Sequence, residues 1–190
     1  MTPVESMAPL SLGALLAAAA DAGLVVLSAA SWPEASADGE VPPLAGFIES
    51  TFSPLLAEVG ARALRRRPEP TVPGAVTAIV TVTALGDLTS ATRVAAAVDA
   101  GQRVSPLLFF QSVPNAVAGY LAARWQLTGP VVCVSGTRAG MDVAALLIDD
   151  ADADEVLVVR VDLAVTEGDR DCAAAIVLTG PAHGELHRTA

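Results

Sequence analysis

The residues with the most chemical potential lie together in Val131-Val132-Cys133-Val134-Ser135-Gly136-Thr137-Arg138-Ala139-Gly140. A thiol, two hydroxyls and a guanidinium fall within six positions. The β-branched run 131–135 follows Gly129-Pro130 and reads as a buried strand. Residues 136–140 read as a tight turn, and Met141 to Ile148 as a helix. A strand, turn and helix in that order form an elbow, the arrangement in which many α/β enzymes hold a nucleophile. A cysteine there could carry an acyl group as a thioester, and a serine or threonine could do so with a base beside it. Cys133, however, falls inside the strand. The chain's two histidines, His183 and His187, sit far along the sequence, and Thr137 has no visible base.

Other chemical signals are weaker. Cys133 and Cys172 fit no CxxC or metal spacing and read as reduced core thiols. Asp149 to Glu155 contains five carboxylates in seven residues. It has no alternating ligand pattern closed by a glycine and a bidentate glutamate, so it reads as a solvated loop. No metal and no cofactor is expected. Arg62, Arg65, Arg66 and Arg67 end a helical stretch, where cations complement the helix dipole. The same run is a candidate docking patch for an acidic partner.

The elements around the elbow follow from periodicity and punctuation. Leu10 to Ala22 reads as an alanine-rich helix capped by Ser11 and ended by Gly23, and Leu24 to Leu27 as a strand. Ser31 to Pro43 reads as a loop, Leu44 to Leu64 as one or two helices with Pro54 in a first turn, and 68–74 as a proline-rich break. Ala75 to Ala84 is a β-branched strand. Thr89 or Ser90 can cap a helix running to Ala100, and Ser105 to Ser112 reads as an extended segment carrying Phe109 and Phe110. Pro114 opens a helix to Trp125 whose small residues suggest a central position. Strands at 156–161 and 173–178 flank a charged turn at 166–171. Strands alternating with helices give an α/β domain around a mixed, largely buried sheet.

The totals set limits. The chain has 190 residues and 53% apolar residues, enough for one core and too apolar for disorder. A net charge of −10 argues against nucleic acid or an anionic membrane as partner. The apolar stretch from Pro9 to Trp32 lacks a preceding cation and is broken by Asp21 and Gly23, which argues against a membrane span. The cytoplasm is the expected compartment.

Several segments in order resemble the β-ketoacyl synthase family: Ala84 to Leu88, Gly101 to Pro106, Ser112-Val113-Pro114-Asn115-Ala116-Val117-Ala118-Gly119-Tyr120, Leu127 to Pro130, and the strands at 156–161 and 171–178. The resemblance covers roughly residues 75 to 180, and Val104 to Gly119 is most similar to the short, N-terminal-domain-like or chain-length-factor-like branch. It implies a thiolase-like half-fold, a single domain over 1–180 with a tail at 181–190. It also implies a nucleophile position at the elbow. Counting without a gap from Gly129-Pro130 places Arg138 there, with Thr137 and Ala139 as neighbours, and none is a cysteine. The family's two histidines belong to a second half that has no counterpart here.

The expectation from the resemblance is a non-catalytic ketosynthase-like accessory protein of type II polyketide or fatty-acid biosynthesis. Its partners would be a ketosynthase, an acyl carrier protein docked on Arg62, Arg65, Arg66 and Arg67, or a second copy paired through the strand 131–135. Phe109, Phe110, Ser112, Asn115, Val132 and Val134 are the pocket or interface candidates. The alternative is a small acyl-transfer, hydrolytic or dehydrating enzyme using Cys133 or Ser135. The resemblance further implies that the sheet face normally covered by the second half lacks cover within this chain.

Overall fold

The computed structural model describes residues 12–34, 38–69, 74–165 and 170–181. His183, His187 and most of the expected 181–190 tail lie outside the described residues, as do Ser11 and most of the charged turn at 166–171.

Helix α1 (Leu12–Asp21) leads through Gly23, at φ +71°, into β1 (Val25–Trp32). The Gly23 and Leu24 amides donate to the carbonyls of Ala20 and Ala19, so the left-handed glycine closes the helix end. One helix, α2 (Phe52–Arg66), with Pro54 in its first turn, occupies only the later part of the stretch 44–64 where one or two were expected; residues 44–51 are non-helical, with Leu44 and Phe47 bridged, and β2 (Thr77–Val82) follows. Then come α3 (Leu88–Asp99), α4 (Pro106–Gln111), α5 (Pro114–Trp125), β3 (Val131–Val134), α6 (Thr137–Asp149), β4 (Glu155–Asp162) and β5 (Cys172–Thr179).

The five strands form one mixed sheet in the order β1-β5-β4-β2-β3. β2 pairs in parallel with both β3 and β4, while β5 runs antiparallel to its neighbours β4 and β1. One apolar layer, with Phe52, Leu56, Val59, Ile79, Val117, Leu121, Leu157 and Val177, packs α2 and α5 on one face. The other, with Leu15, Ala19, Val80, Met141, Ala144, Val158 and Ile176, packs α1 and α6 on the opposite face. The alternation of β4 supplies both: Leu157 and Val159 point one way, Val156 and Val158 the other.

Five local expectations change. β1 runs on to Trp32 rather than stopping at Leu27, because Ser28 to Trp32 pair residue by residue with β5. Residues 105–112 are helical, not extended. The Ser105 hydroxyl accepts from the Leu107 amide and Pro106 occupies the first helical position, a start signal that outweighs the strand preference of the phenylalanines. The cap of α3 is Asp87, whose carboxylate accepts from the Ser90 amide and hydroxyl, so Ser90 is the capped residue rather than the cap. The helix after the elbow begins at Thr137, directly after Gly136 at φ +91°, and there is no separate turn over 136–140. Finally, α5 lies in an outer layer: Val117, Ala118 and Leu121 are its buried residues, while Gly119 and Ala123 face outward.

The bare face expected from the resemblance is also corrected. α6 covers β2 and β4, and α1 lies beside it over β1 and β5 with Leu15 and Ala19 fully buried. Both faces of the sheet are covered within the chain.

Candidate functional site at the elbow

In open α/β sheets, ligands bind outside the carboxyl ends of parallel strands. Here β2, β3 and β4 end together at Val82, Val134 and Asp162, and the elbow lies at that end. Gly140 lets α6 sit low on the sheet: a Cβ on it would lie 2.5 Å from Val82 Cγ2. Gly129 admits the chain entering β3 against the β2 backbone, since a Cβ there would be 2.7 Å from Thr77 and Ala78 backbone atoms. These two contacts set the height of the elbow.

The Arg138 side chain is exposed, as is Ser135. Thr137 is half-buried, and its hydroxyl accepts from Arg160 Nη1 at 2.7 Å. Arg160 in turn donates through Nε and Nη2 to Asp162 Oδ2 at 3.0 and 2.8 Å. Asp162 also accepts from the Ala84 amide, tying β4 to the loop after β2. Cys133 is half-buried in β3, opposite Thr81, and burial pushes its thiol pKa up. A thiol in that state is mostly protonated at neutral pH and weakly nucleophilic. The sequence did not single out Arg160 and Asp162. Their spacing of two on a strand, which puts both on one face, was the available signal.

The interface candidates separate into two places. Val132 and Val134 are half-buried in β3, which is an edge of the sheet. Phe109 and Phe110 are 62% and 50% exposed on α4, near Leu107 on the same helix. Phe110 and Tyr120 each approach Phe47, with ring centroids at 6.0 and 6.2 Å, so the loop before α2 joins this surface. Gln111 Oε1, nearly buried, accepts from the Ile48 amide and fixes that loop against α4. Asn115 is exposed, and the Ser112 hydroxyl donates to the Phe109 carbonyl at the end of α4.

The arginine run is built into the fold more deeply than a surface patch. Arg62 bonds Asp38 and Glu58 and lies 4.4 Å from the Trp32 ring centroid. Arg66 forms a two-pronged pair with Glu34, and that hydrogen bond, followed by the guanidinium charges of Arg66 and Arg62, holds the Glu34 carboxyl below its usual pKa. Arg67 bonds Glu155, 2.6 Å away and almost buried. Arg65 points outward, with Glu58 at 3.8 Å. Among the described residues no group of three or more His, Cys, Asp or Glu side chains could hold a metal, and no helix is long and apolar enough to cross a membrane.

The family described as β-ketoacyl synthase, N-terminal domain, matches residues 73–174. The chain belongs to that family. The match begins just before β2 and ends within β5, so it takes in the elbow and the α4 surface. No curated protein matches the chain. Among solved structures, the fold is similar to a chain of a ketosynthase (ApeO) in complex with its chain length factor (ApeC) from Xenorhabdus doucetiae, with a TM-score of 0.64 and 18% identity over 83% of this chain and 79% of that one. The ishigamide ketosynthase/chain length factor gives 0.57 at 17% identity, over 79% of this chain and 49% of that one. Ketosynthase twelve of the bacillaene polyketide synthase of Bacillus amyloliquefaciens gives 0.55 at 11%, over 88% and 43%. At these identities the likeness establishes the thiolase-like ketosynthase fold, of which this chain spans about half in the last two.

Proposed function

We propose that this chain is a non-catalytic, ketosynthase-like accessory protein of type II polyketide or fatty-acid biosynthesis. The observation that carries the reading is the elbow. It presents Ser135 and Gly136 ahead of α6 and Thr137 and Arg138 in the helix's first turn, and the nearest thiol lies in the strand with its pKa raised by burial. Condensation needs a thiolate to hold the acyl chain and donors to stabilise an enolate. A guanidinium cannot be acylated, and the Thr137 hydroxyl is engaged by a cation, not by a base. The raised thiol pKa counts against an acyl-transfer, hydrolytic or dehydrating enzyme built on Cys133, and among the described residues no base hydrogen-bonds the Ser135 hydroxyl that would serve instead.

The proposed partner is a ketosynthase, engaged through the β3 edge and the apolar α4 surface. A second copy of this chain, paired through β3 about a two-fold axis, is the alternative assembly. An acyl carrier protein docking on Arg62, Arg65, Arg66 and Arg67 completes the proposal. Because three of these arginines are held by carboxylates within the chain, Arg65 makes the outward contact.

The test is condensation with malonyl and acyl carrier substrates. The chain alone yields no ketoacyl product, and Arg138→Cys does not restore it. A product formed by the unaltered chain alone defeats the reading.

A further inference from the structure

A groove of about 370 Å³ runs along the outer helical layer between α2 and α5. Its floor is Ala57, Ala61, Leu121 and Trp125, and prolines 42 and 43 form one wall. It follows α2 from Pro54 to Arg65, roughly 16 Å at 1.5 Å per residue. It lies on the α2/α5 face of the sheet, the face opposite α6.

Its charge is localised. α2 and α5 each return the chain to the start of a parallel strand, so they run in the same direction. They meet where Gly60 faces Leu121. Arg65 and Arg124 lie beyond that crossing, both toward the carboxyl end of the groove. Arg124 is exposed and makes no ion pair among the described residues, while Glu58, the one carboxylate among the described lining residues, bonds Arg62 Nε at 2.8 Å and stands 3.8 Å from Arg65. Two guanidiniums outweigh the partial negative charge of about half a unit at each helix end. On a chain of net charge −10, this mouth is cationic.

We infer that the groove docks an acidic amphipathic helix of a partner protein. The apolar floor accepts the partner's apolar stripe, and Arg65 and Arg124 meet its carboxylates. The groove is a partly open cleft rather than an enclosed cavity, which selects between occupants: an acyl chain lying there stays partly in water, whereas an amphipathic helix turns a polar face outward. The inference deepens the docking reading above in sharing Arg65, and the Arg124 and Ala61 variants separate the two.

The probe is a synthetic 14-residue helical peptide with leucines at one-face spacing flanked by glutamates, titrated to millimolar against the full chain. Amide shifts and the Trp125 indole are followed by NMR. The expected result is shifts confined to α2, α5 and residues 42–44, at least tenfold weaker binding in Arg65→Ala/Arg124→Ala, and loss in Ala61→Phe, which fills the floor and keeps both arginines. The exposed positions of Arg65 and Arg124 leave the fold intact, checked by circular dichroism. Absence of shifts overturns the inference, as does equal binding of a lysine-for-glutamate peptide. So does binding that survives Ala61→Phe and Arg124→Ala but is lost on alanine substitution of Arg62, Arg65, Arg66 and Arg67, which would leave the arginine-run reading standing alone. Dodecanoate shifting the same amides while the acidic peptide does not also overturns it.

Discussion

Arg160 Nη1 donates to Thr137 Oγ1 across 2.7 Å, joining the end of β4 to the first residue of α6. The bond occupies the hydroxyl at the elbow and orients the guanidinium that also grips Asp162. Thr137→Val keeps the side-chain shape and removes the acceptor, leaving one arm of a half-buried guanidinium unpaired. The expected cost is about 1–3 kcal/mol, read as a lower urea midpoint with an unchanged slope. A midpoint equal to that of the parent chain contradicts the role assigned to this bond.

Arg67 and Arg65 are two positions apart and should behave oppositely. Arg67→Ala leaves Glu155, whose side chain is 5% exposed, without its cation. Removing one partner of a buried pair costs about 3–5 kcal/mol. Arg65→Ala removes an exposed side chain with a carboxylate at 3.8 Å, an interaction in the range of about 0–1 kcal/mol. Equal thermal shifts for the two variants are inconsistent with the pairing described.

Burial raises the Cys133 pKa, which gives a signed pH dependence. Below the unfolded-state pKa the thiol is protonated in both states and adds no slope. Above it the unfolded chain releases its proton first, so stability falls as pH rises toward the higher folded value. Cys133→Ala should flatten that alkaline fall. Alkylation of Cys133 in the folded chain should also be slower at pH 8 than in the denatured chain. Faster alkylation when folded would instead mark an activated thiol and revive the enzymatic alternative.

Three glycine-to-alanine changes should rank by what the new methyl meets. At Gly129 it meets the β2 backbone at 2.7 Å, which cannot move without breaking the β2–β3 pairing. At Gly140 it meets Val82 Cγ2 at 2.5 Å, a β-branched side chain with little rotamer freedom. At Gly60 it meets the tip of Leu121 at 2.7 Å, which can rotate. Overpacking costs about 1–3 kcal/mol, and denaturant midpoints should fall in the order Gly129, Gly140, Gly60, with Gly129 the largest loss. A Gly60 loss exceeding that of Gly129 would refute the ranking.

Val132 lies on the edge strand, half-buried, and a charged residue there tests assembly separately from folding. Val132→Lys should keep the circular dichroism spectrum and shift sedimentation to the monomer, alone or with a ketosynthase. A pairing interface should bury at least about 1,000 Å². A parent chain that stays monomeric at every concentration, with and without that partner, rules the pairing out.

What the sequence conveyed follows the range of the interactions involved. The β-branched strand read over 75–84 and the helix read as running to Ala100 were legible, apart from their exact ends and the Asp87 cap, because their signals are local. β1 beyond Leu27 was not, because Ser28 to Trp32 carry weak strand preference and owe their conformation to β5, more than 140 residues away. The Ser105-Pro106 start of α4 was present but hidden behind two phenylalanines. At the site, the lack of a thiol at the turn was visible. The fate of the arginine run was not, since apart from Glu58 one turn away its carboxylates lie at Glu34, Asp38 and Glu155, separated in sequence and joined by packing of α2 against the sheet.

The position of β5 sets a condition on biosynthesis. It is the last of the described strands to leave the ribosome, yet it inserts between β1 and β4. Roughly 140 residues separate Trp32 from Cys172, so β1 waits about 7–28 s at common elongation rates before its partner exists. Throughout that interval β1 presents an unpaired edge rich in apolar side chains, and β4, completed just before β5, adds a second only at its end, a template for pairing between nascent chains. Yield in a cell should therefore depend on translation speed and chaperone supply more than the stability of the finished sheet suggests.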